Sequence, residues 1–451
     1  MNSSADSPAE VAERALHRRA VEAVVWGMPA VGYRVMYEEA ARVGGPGDNR
    51  ILFWPCLPDW NHRTLTPDPE VVHLMAFIDT RDVGPVVLEI PPADEGVLEG
   101  SVANAWQVAI EDIGPTGADA GHGGNYLILP PDFDGHIPHG HIPVRADTHQ
   151  CHALIRSIPP GSSESEVAQA LAHAHRVRLH PLAQSDDPPE TEWVDADGAL
   201  FDGAIPYDVR FFQALDHIVQ NEPWLPRDRA MIDQLRTLGI EKGRPFNPDV
   251  PTRTTLGAAA SEARAWIDAS YESTFRPIAE GSHWRVPALP ELTRATGAFF
   301  DAPTSYPIDA RAIALSFAPS PAKHPPRSRL HLMATTDAEG APLDGAAGYR
   351  LTVPALAPAA REWSATAYDR DTHTLIPDMP RAARSSQSPG LAVNEDGSVD
   401  LHFAPEPPAG KEFNWIPTDP QGHFEILLRL RGATPLVRNG SWHPPNIERT
   451  H

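Results

Sequence analysis

The sequence predicts a mainly β protein with a helical insertion, an α+β multidomain architecture in which a helical segment separates two β-sandwiches. At 451 residues the chain is longer than one hydrophobic core normally supports. Its 49 prolines and 32 glycines favour short elements joined by many turns. Apolar runs typical of strands form two blocks, and a stretch with helical periodicity lies between them. We therefore expect an N-terminal helical region (1–45), a first sandwich (46–200), a helical segment (201–325) and a second sandwich (326–451).

The chain should begin with a helix. Ser7-Pro8-Ala9-Glu10 has the form of a capping box with proline at the first helical position. Apolar residues then recur at helical spacing from Leu16 to Val25. Because Gly27-Met28-Pro29 combines two residues that disfavour a helix interior, we expect the helix to end there.

The two β blocks consist of short apolar runs bounded by proline, glycine and aspartate. The first block contains ILFWPCL, VVHLMAFI, GPVVLEIPP, NYLILPP, HIPVRA and CHALIRS. The second block contains RLHLMATT, GYRLTVP, REWSATAYD, SVDLHFA and FEILLRLR. Each block is predicted to form one sandwich.

Helices are predicted between and beside these blocks. Ser163 or Ser165 can cap a helix over SESEVAQALAHAHRV. Further on, FFQALDHIVQ, PRDRAMIDQLRTLGI and TTLGAAASEARAWIDASYESTF have helical periodicity. Gly239 should follow the end of the second of these three, and Trp266 should face inward in the third.

Composition limits the partners. The net charge of −23, from 37 basic and 60 acidic residues, argues against nucleic acid and anionic membranes as partners. No apolar run approaches the length of a bilayer span, and the N-terminal residues do not resemble a signal peptide. We expect a cytoplasmic protein with a small-molecule substrate and, from its size, a homo-oligomer.

The chain also resembles a bacterial family that pairs domain of unknown function 1254 with domain of unknown function 1214. The first half carries this resemblance in GPVVLEIPP (84–92) and DIGPTGADAGHGGNYLILPPDFDG (112–135). The second half carries it in GYRLTVP (348–354), WSATAYDRDT (363–372) and GSWHPP (440–445). The resemblance implies two jelly-roll-like β-sandwiches and little chemistry.

One passage departs from the family pattern. Relatives usually have Thr-Pro-Asn-x-Asp-Thr-x-Tyr before the GPVVLEIPP-like strand, whereas this chain has TPDPEVVH at 66–73. In an extended segment the carboxylates of Asp68 and Glu70 would share a face, with His73 on the other. Two close carboxylates can act as an acid/base pair or as ligands of a hard metal, so we predict Asp68, Glu70 and His73 as catalytic residues. A proline-interrupted surface edge is the alternative.

Polar loops of the second block supply candidate substrate-binding residues. Charged and hydroxyl side chains in loops that leave sandwich strands are frequent in binding sites. Arg384 could bind a carboxylate or sulfate bidentately, and the alternative is that its loop is braced by hydrogen bonds. Trp415 could stack on a ligand, and the alternative is that it is a buried aromatic of the sandwich. The predicted set is Tyr368, Arg384, Gln387, Lys411, Asn414 and Trp415.

A histidine-rich turn, FDGHIPHGHIP, offers a possible metal site. His136, His139 and His141, with Asp134, are of the residue types that bind zinc, copper, iron or nickel, but their spacing matches no strong metal signature. A solvated polar turn is the alternative.

Three functions therefore stay open. The first is a small-molecule enzyme using acid/base chemistry, hydrolytic or eliminative, in an interdomain cleft. The others are a non-catalytic ligand-binding or scaffold protein and a histidine-ligated metalloenzyme. Nucleotide-binding fingerprints and the Gly-x-Ser-x-Gly motif are absent from the sequence, so we expect either no cofactor or a divalent metal.

Overall fold

The computed structural model describes residues 7–287, 306–317, 322–324, 329–355, 362–438 and 441–450. Within them the α-helices are α1 (Pro8–Gly44), α2 (Glu164–Ala174), α3 (Val209–Asn221), α4 (Arg229–Thr237), α5 (Val250–Thr274), α6 (Ile308–Leu315) and α7 (Pro435–Arg438).

The strands of the first half are β1 (Arg50–Phe53), β2 (His62–Arg63), β3 (Val72–Asp79), β4 (Val86–Ile90), β5 (Val97–Asn104), β6 (Ala109–Ile113), β7 (Gly124–Leu129), β8 (His141–Arg145), β9 (Gln150–Ile158), β10 (Arg178–Pro181), β11 (Trp193–Asp195) and β12 (Phe201–Asp202). Those of the second half are β13 (Arg276–Pro277), β14 (Arg285–Val286), β15 (Arg329–Ala334), β16 (Gly348–Val353), β17 (Glu362–Asp369), β18 (Ala383–Ser385), β19 (Val399–Ala404), β20 (Trp415–Pro417), β21 (Phe424–Arg431) and β22 (Glu448–Thr450).

The first sandwich packs a six-stranded sheet, in the order β11-β1-β3-β9-β5-β6, against a four-stranded sheet in the order β10-β4-β7-β8. Strand β3 illustrates how both of its faces become buried. Its Leu74 and Ala76 face the sandwich core, while Met75 and Phe77 on the opposite face pack against the helices. A strand covered on both sides reads as a continuous apolar run, which explains the VVHLMAFI pattern.

The second sandwich repeats this plan. Its six-stranded sheet has the order β13-β14-β15-β21-β17-β18, and its four-stranded sheet has the order β20-β19-β16-β22. In β21 the residues Ile426, Leu428 and Leu430 enter the core between the sheets. The predicted fold class, two β-sandwiches separated by helices, is therefore confirmed.

Helix α1 joins the helical region to the first sandwich. It packs against α3, α4, α5 and α6, so the N-terminal helix and the middle helices share one core with the outer face of the first six-stranded sheet. The two helical regions that we predicted separately along the sequence thus form a single packed layer.

The predicted end of α1 at Gly27-Met28-Pro29 is wrong, because the helix continues through Pro29 to Gly44. A proline inside a helix costs about 3 kcal/mol. Burial of Trp26, Met28 and Tyr33 offsets this cost, since each large apolar side chain contributes about 1.5–3 kcal/mol. The side-chain amide of Gln107 also donates a 2.8 Å hydrogen bond to the Pro29 carbonyl. Tertiary packing therefore overrides the local helix-breaking signal.

Other local predictions can be compared directly with the structure. Ser163 caps α2 and forms a reciprocal capping box with Glu166. Gly239 follows the end of α4 with a positive φ of 87°, as predicted for a glycine in this position. Trp266 does not face inward, because its side chain is 38% exposed on α5. The apolar stripe of α5 instead uses Ala259, Ala263 and Ile267.

No helix among the described residues combines the length and the apolar character needed to cross a bilayer.

We predict that Leu428→Ala lowers the free energy of unfolding by about 2–5 kcal/mol, because it opens a cavity in the core of the second sandwich. Urea denaturation monitored by tryptophan fluorescence measures the change. Leu436→Ala is the matched control, since Leu436 is 38% exposed and should lose under about 1 kcal/mol. Equal losses for the two variants would contradict the assignment of Leu428 to the core.

Candidate functional site

The two sandwiches meet through polar faces of their six-stranded sheets. In β21, strand alternation places Arg429 and Arg431 on the face opposite the core residues Leu428 and Leu430. Across the sheet, Arg429 pairs in register with His331 and Ser364, and Arg431 pairs with Arg329 and Glu362. On the first sandwich, Arg156 of β9 lies between His73 and Glu99. An Arg329–Glu99 ion pair connects the two sheets directly.

The residues 66–70, here named the interdomain segment, lie against this polar face of the second sandwich. The Arg429 guanidinium donates hydrogen bonds to the carbonyls of Thr66 (3.0 Å) and Pro67 (3.3 Å). The phenol of Tyr368 donates to the Pro67 carbonyl at 2.5 Å and accepts from Arg429 at 2.6 Å. The Thr66 N–H donates to the carbonyl of His373 at 2.7 Å. Backbone groups of the first domain are thus satisfied by side-chain and backbone groups of the second.

Asp68 forms the central ion pair of the boundary. Its carboxylate lies 2.8 Å from the Arg431 guanidinium and 3.8 Å from the Nε of Arg429. Burial by itself would raise the pKa of Asp68, but the two arginines outweigh burial and hold the pKa well below its usual range. A carboxylate that stays ionised and is held by two cations is poorly suited to exchange protons. Asp68 therefore has a clear structural role, and the geometry does not favour our prediction that it is catalytic.

Glu70 occupies a different environment from Asp68. Its carboxylate is half-buried and accepts a 2.7 Å hydrogen bond from the hydroxyl of Ser385, which belongs to the second domain. Burial raises the pKa of Glu70, and the Ser385 hydrogen bond opposes part of that rise. A carboxyl group whose pKa is raised can gain and lose a proton nearer neutral pH. Of the two predicted carboxylates, Glu70 is the one whose pKa is raised.

Glu70 and Ser385 line a groove that opens to solvent between the two sandwiches. The remaining walls of this interdomain groove come from both domains: Pro159, Pro160, Gly161, Glu362, Trp363, Ser364, Ser386, Gln387 and Arg431. Glu70 and the residues 385–387, far apart in sequence, thus line one cleft.

His73 lies beside the interdomain segment and does not line the groove. Its Nε2 donates a 2.9 Å hydrogen bond to the Asp68 carbonyl, and its ring centre is 4.8 Å from that of His62. Burial, reinforced by the Arg156 charge, lowers the pKa of His73 to about 4. The neutral imidazole therefore braces the segment, and this geometry does not favour our prediction that His73 is catalytic.

The substrate-binding candidates of the second domain are dispersed. Gln387 lines the interdomain groove, whereas Tyr368 is buried against Arg429 and Pro67. Arg384 pairs in register with the core residue Ala365, so its side chain points to the face opposite Ser385 and does not line the groove. The anion contact that we predicted for Arg384 is therefore not placed there.

The remaining candidates lie around β20. Asn414 is buried and bonds to backbone groups of Ala392 and Asp400, which is a loop brace. Trp415 donates from its indole to a backbone carbonyl, while Lys411 is exposed. None of these three residues lines the interdomain groove.

The histidine-rich turn does not assemble a metal site. His136 and His139 are exposed, and the His141 ring contacts the Pro138 carbonyl at 3.3 Å. Within the described ranges, the one group of three potential ligands with atoms within 4.8 Å of one another is Asp94, Glu95 and His173. There the Arg176 guanidinium lies within hydrogen-bonding distance of all three side chains, so a cation already fills the space.

Sequence reasoning missed Ser385, Arg156, Arg429 and Arg431. A signal for the last two was present, because the final LRLR of FEILLRLR alternates and places both arginines on one face of a strand. Strand residues of that kind face solvent in an isolated sandwich, so the alternation alone does not indicate that a second domain covers them. Ser385 follows Arg384 by one position, and which of the two faces the groove depends on the register of β18 with β17.

We predict that Asp68→Asn lowers the free energy of unfolding by about 3 kcal/mol, because Arg429 and Arg431 lose the charge that compensates theirs. Chemical denaturation measures this change. Asp233→Asn is the control, since the Asp233 carboxylate is 86% exposed. A loss for Asp68→Asn no larger than that of the control would contradict a central role for this ion pair.

Acid should destabilise the protein through His73. Its pKa falls from 6.5 in the unfolded chain to about 4 in the folded one, so the unfolded state binds more protons between these pH values. The stabilising contribution is present above pH 6.5 and is lost as the pH falls towards 4, by about 3 kcal/mol in total. His73→Gln keeps an N–H donor but cannot titrate, so its unfolding free energy should fall less over this interval. The same substitution at exposed His136 provides the control; identical pH profiles for wild type and His73→Gln would refute the assignment.

Comparison with known proteins agrees with this architecture. Residues 49–181 match the model of a family described as a protein of unknown function (DUF1254), and residues 328–435 match one described as a protein of unknown function (DUF1214). No curated protein matches the chain.

Solved structures are also similar to the chain. The VPA0106 protein from Vibrio parahaemolyticus is 16% identical, with a TM-score of 0.58 over 97% of this chain and all of that one, a likeness of fold alone. A putative uncharacterized protein from Burkholderia cenocepacia is 11% identical, with a TM-score of 0.41 over 97% of this chain and 94% of that one. The two matched segments coincide with the two sandwiches whose polar faces form the groove, and the chain belongs to the family that pairs DUF1254 with DUF1214.

Proposed function

We propose that this protein is an enzyme that acts by acid/base chemistry, hydrolytic or eliminative, on a small polar molecule in the interdomain groove, without a nucleotide cofactor. The observation that carries the proposal is the contact between Glu70 and Ser385. It combines a half-buried carboxyl group, a raised pKa and a neighbouring hydroxyl in a solvent-open cleft built from two domains. Concave sites at domain boundaries with a few convergent polar groups are common places for small-molecule chemistry.

The roles in this proposal differ among the residues. Glu70 is the proton-transfer group, and Ser385 orients its carboxylate by hydrogen bonding. Arg431 lines the groove and is held in place by Asp68, so it can present one edge of its guanidinium to a ligand. Asp68 and His73 position the interdomain segment and do not contact the ligand.

A non-catalytic binding protein is the second candidate function. It is favoured by the Ser385 hydroxyl, which already accepts from the Gln387 N–H at 3.2 Å while donating to Glu70. A wall whose polar groups are satisfied in this way can recognise a ligand without transforming it. The cytoplasmic location and the homo-oligomer stay predictions under both functions.

We predict that Glu70→Gln lowers turnover by roughly 10²- to 10⁴-fold, the usual effect of removing a general acid or base. To search for a substrate, wild-type protein is incubated with a fractionated extract of small metabolites. Mass spectrometry then follows compounds that disappear and products that differ from them by one water. Glu13→Gln is the matched control, since Glu13 is exposed on α1, far along the chain from the groove.

The outcomes separate the two functions. Conversion by wild type and Glu13→Gln, but not by Glu70→Gln, supports the enzyme. A compound that is retained stoichiometrically by all three proteins and recovered unchanged supports the binding protein. Equal conversion by wild type and Glu70→Gln would show that Glu70 is not the proton-transfer group.

A further inference from the structure

The boundary between the sandwiches is rich in arginine. Four guanidinium groups interact electrostatically there: Arg156, Arg329, Arg429 and Arg431. Three of them have a carboxylate within ion-pair distance, which is Asp68 for Arg429, Asp68 and Glu362 for Arg431, and Glu99 for Arg329. The fourth, Arg156, has none among the described residues, in a chain whose overall net charge is −23.

Arg156 is the member of this cluster that lacks a counter-ion in direct contact. Within the described part of the chain its side chain makes neither a hydrogen bond nor an ion pair. It lies in the middle of the first six-stranded sheet, between His73 and Glu99 in register, and Glu99 is already engaged by Arg329. Burial lowers the pKa of Arg156, and the neighbouring Arg429 and Arg431 act in the same direction against the opposing influence of Asp68.

A guanidinium without a protein partner keeps its hydrogen bonds only with solvent or with a ligand. Arg156 is of this kind, since it is partly exposed and none of its nitrogens is buried without a partner. His331, its neighbour across the boundary, adds no charge, since burial with Arg429 and Arg329 lowers its pKa to about 3. A neutral imidazole beside an unpaired guanidinium can complete the hydrogen bonding of an oxyanion.

We propose that the two domains bind the oxyanion group of a small organic acid at Arg156, with Arg431 as the second cation where this site meets the interdomain groove. A carboxylate or phosphate group fits a guanidinium bidentately and would give Arg156 the counter-ion that it lacks among the described residues. If the proposed enzyme exists, this site makes its substrate an organic anion, and to that extent the inference rests on the proposed function. Anion binding by itself can be measured without turnover.

The experiment uses isothermal titration calorimetry of the full chain with malonate, inorganic phosphate and the neutral analogue malonamide, all at one ionic strength. We expect wild-type protein to bind an oxyanion and to show no heat with malonamide. Arg156→Gln should weaken the oxyanion affinity by about 10-fold or more, the scale of losing one charged hydrogen-bonding pair. Preference for malonate or phosphate identifies the group that the site accepts.

Two further variants keep the test decisive. Arg156→Lys retains the charge without the bidentate fork, so it should bind more weakly than wild type and more tightly than Arg156→Gln. Arg276→Gln removes an arginine that is exposed on β13 and should bind as wild type does. If Arg156→Gln fails to fold, the ranking of wild type, Arg156→Lys and Arg276→Gln still decides the outcome. Binding of malonamide equal to that of malonate, or wild-type affinity in the Arg156 variants, would overturn the proposal.

The test also separates this inference from the proposed catalysis. Glu70→Gln should bind the oxyanion at least as tightly as wild type, since it removes a negative charge beside Arg429 and Arg431, while it loses turnover. Turnover without oxyanion binding would refute the anion site and leave the enzyme standing. Oxyanion binding without turnover of any compound would refute the enzyme and leave the anion site standing.

Discussion

The ion pair between Asp68 and the arginines Arg429 and Arg431 fixes how the two sandwiches face each other. It joins a turn of the first domain to a strand of the second, although the residues are more than 350 positions apart in the chain. Charged groups that are buried at such a boundary are costly unless they are paired and hydrogen-bonded. The backbone carbonyls of Thr66 and Pro67, which also accept from Arg429, complete this requirement.

This ion pair gives two neighbouring carboxylates different environments. Asp68 compensates the arginines and stays ionised, whereas Glu70, two residues later, is turned to the groove and contacts a hydroxyl. The Asp68 carboxylate even accepts a hydrogen bond from the Glu70 N–H at 3.1 Å, so the ion pair holds the backbone that presents Glu70. The element that stabilises the boundary therefore also sets the geometry of the candidate site.

Helix α1 also helps to hold the two sandwiches in place. It runs across the outer face of the first sheet and packs against the middle helices, so the residues that link the two sandwiches are anchored to a shared core. Glycines in α1 allow this packing, since a Cβ on Gly32 would lie 2.7 Å from the Gln107 side chain. That side chain in turn donates a hydrogen bond to the carbonyl of Pro29 within the buried part of α1.

The sequence by itself determined the two β blocks, the helical middle and several caps, because hydrophobic periodicity and capping chemistry act over a few residues. It also indicated that the 66–73 passage is unusual, and Glu70 was among its candidates. Only the tertiary structure decided that α1 passes through Pro29, that Ser385 and not Arg384 lines the groove, and that Arg156, Arg429 and Arg431 lie at a covered boundary. Those facts depend on contacts between segments that are hundreds of residues apart in the chain. Local sequence patterns do not specify such contacts.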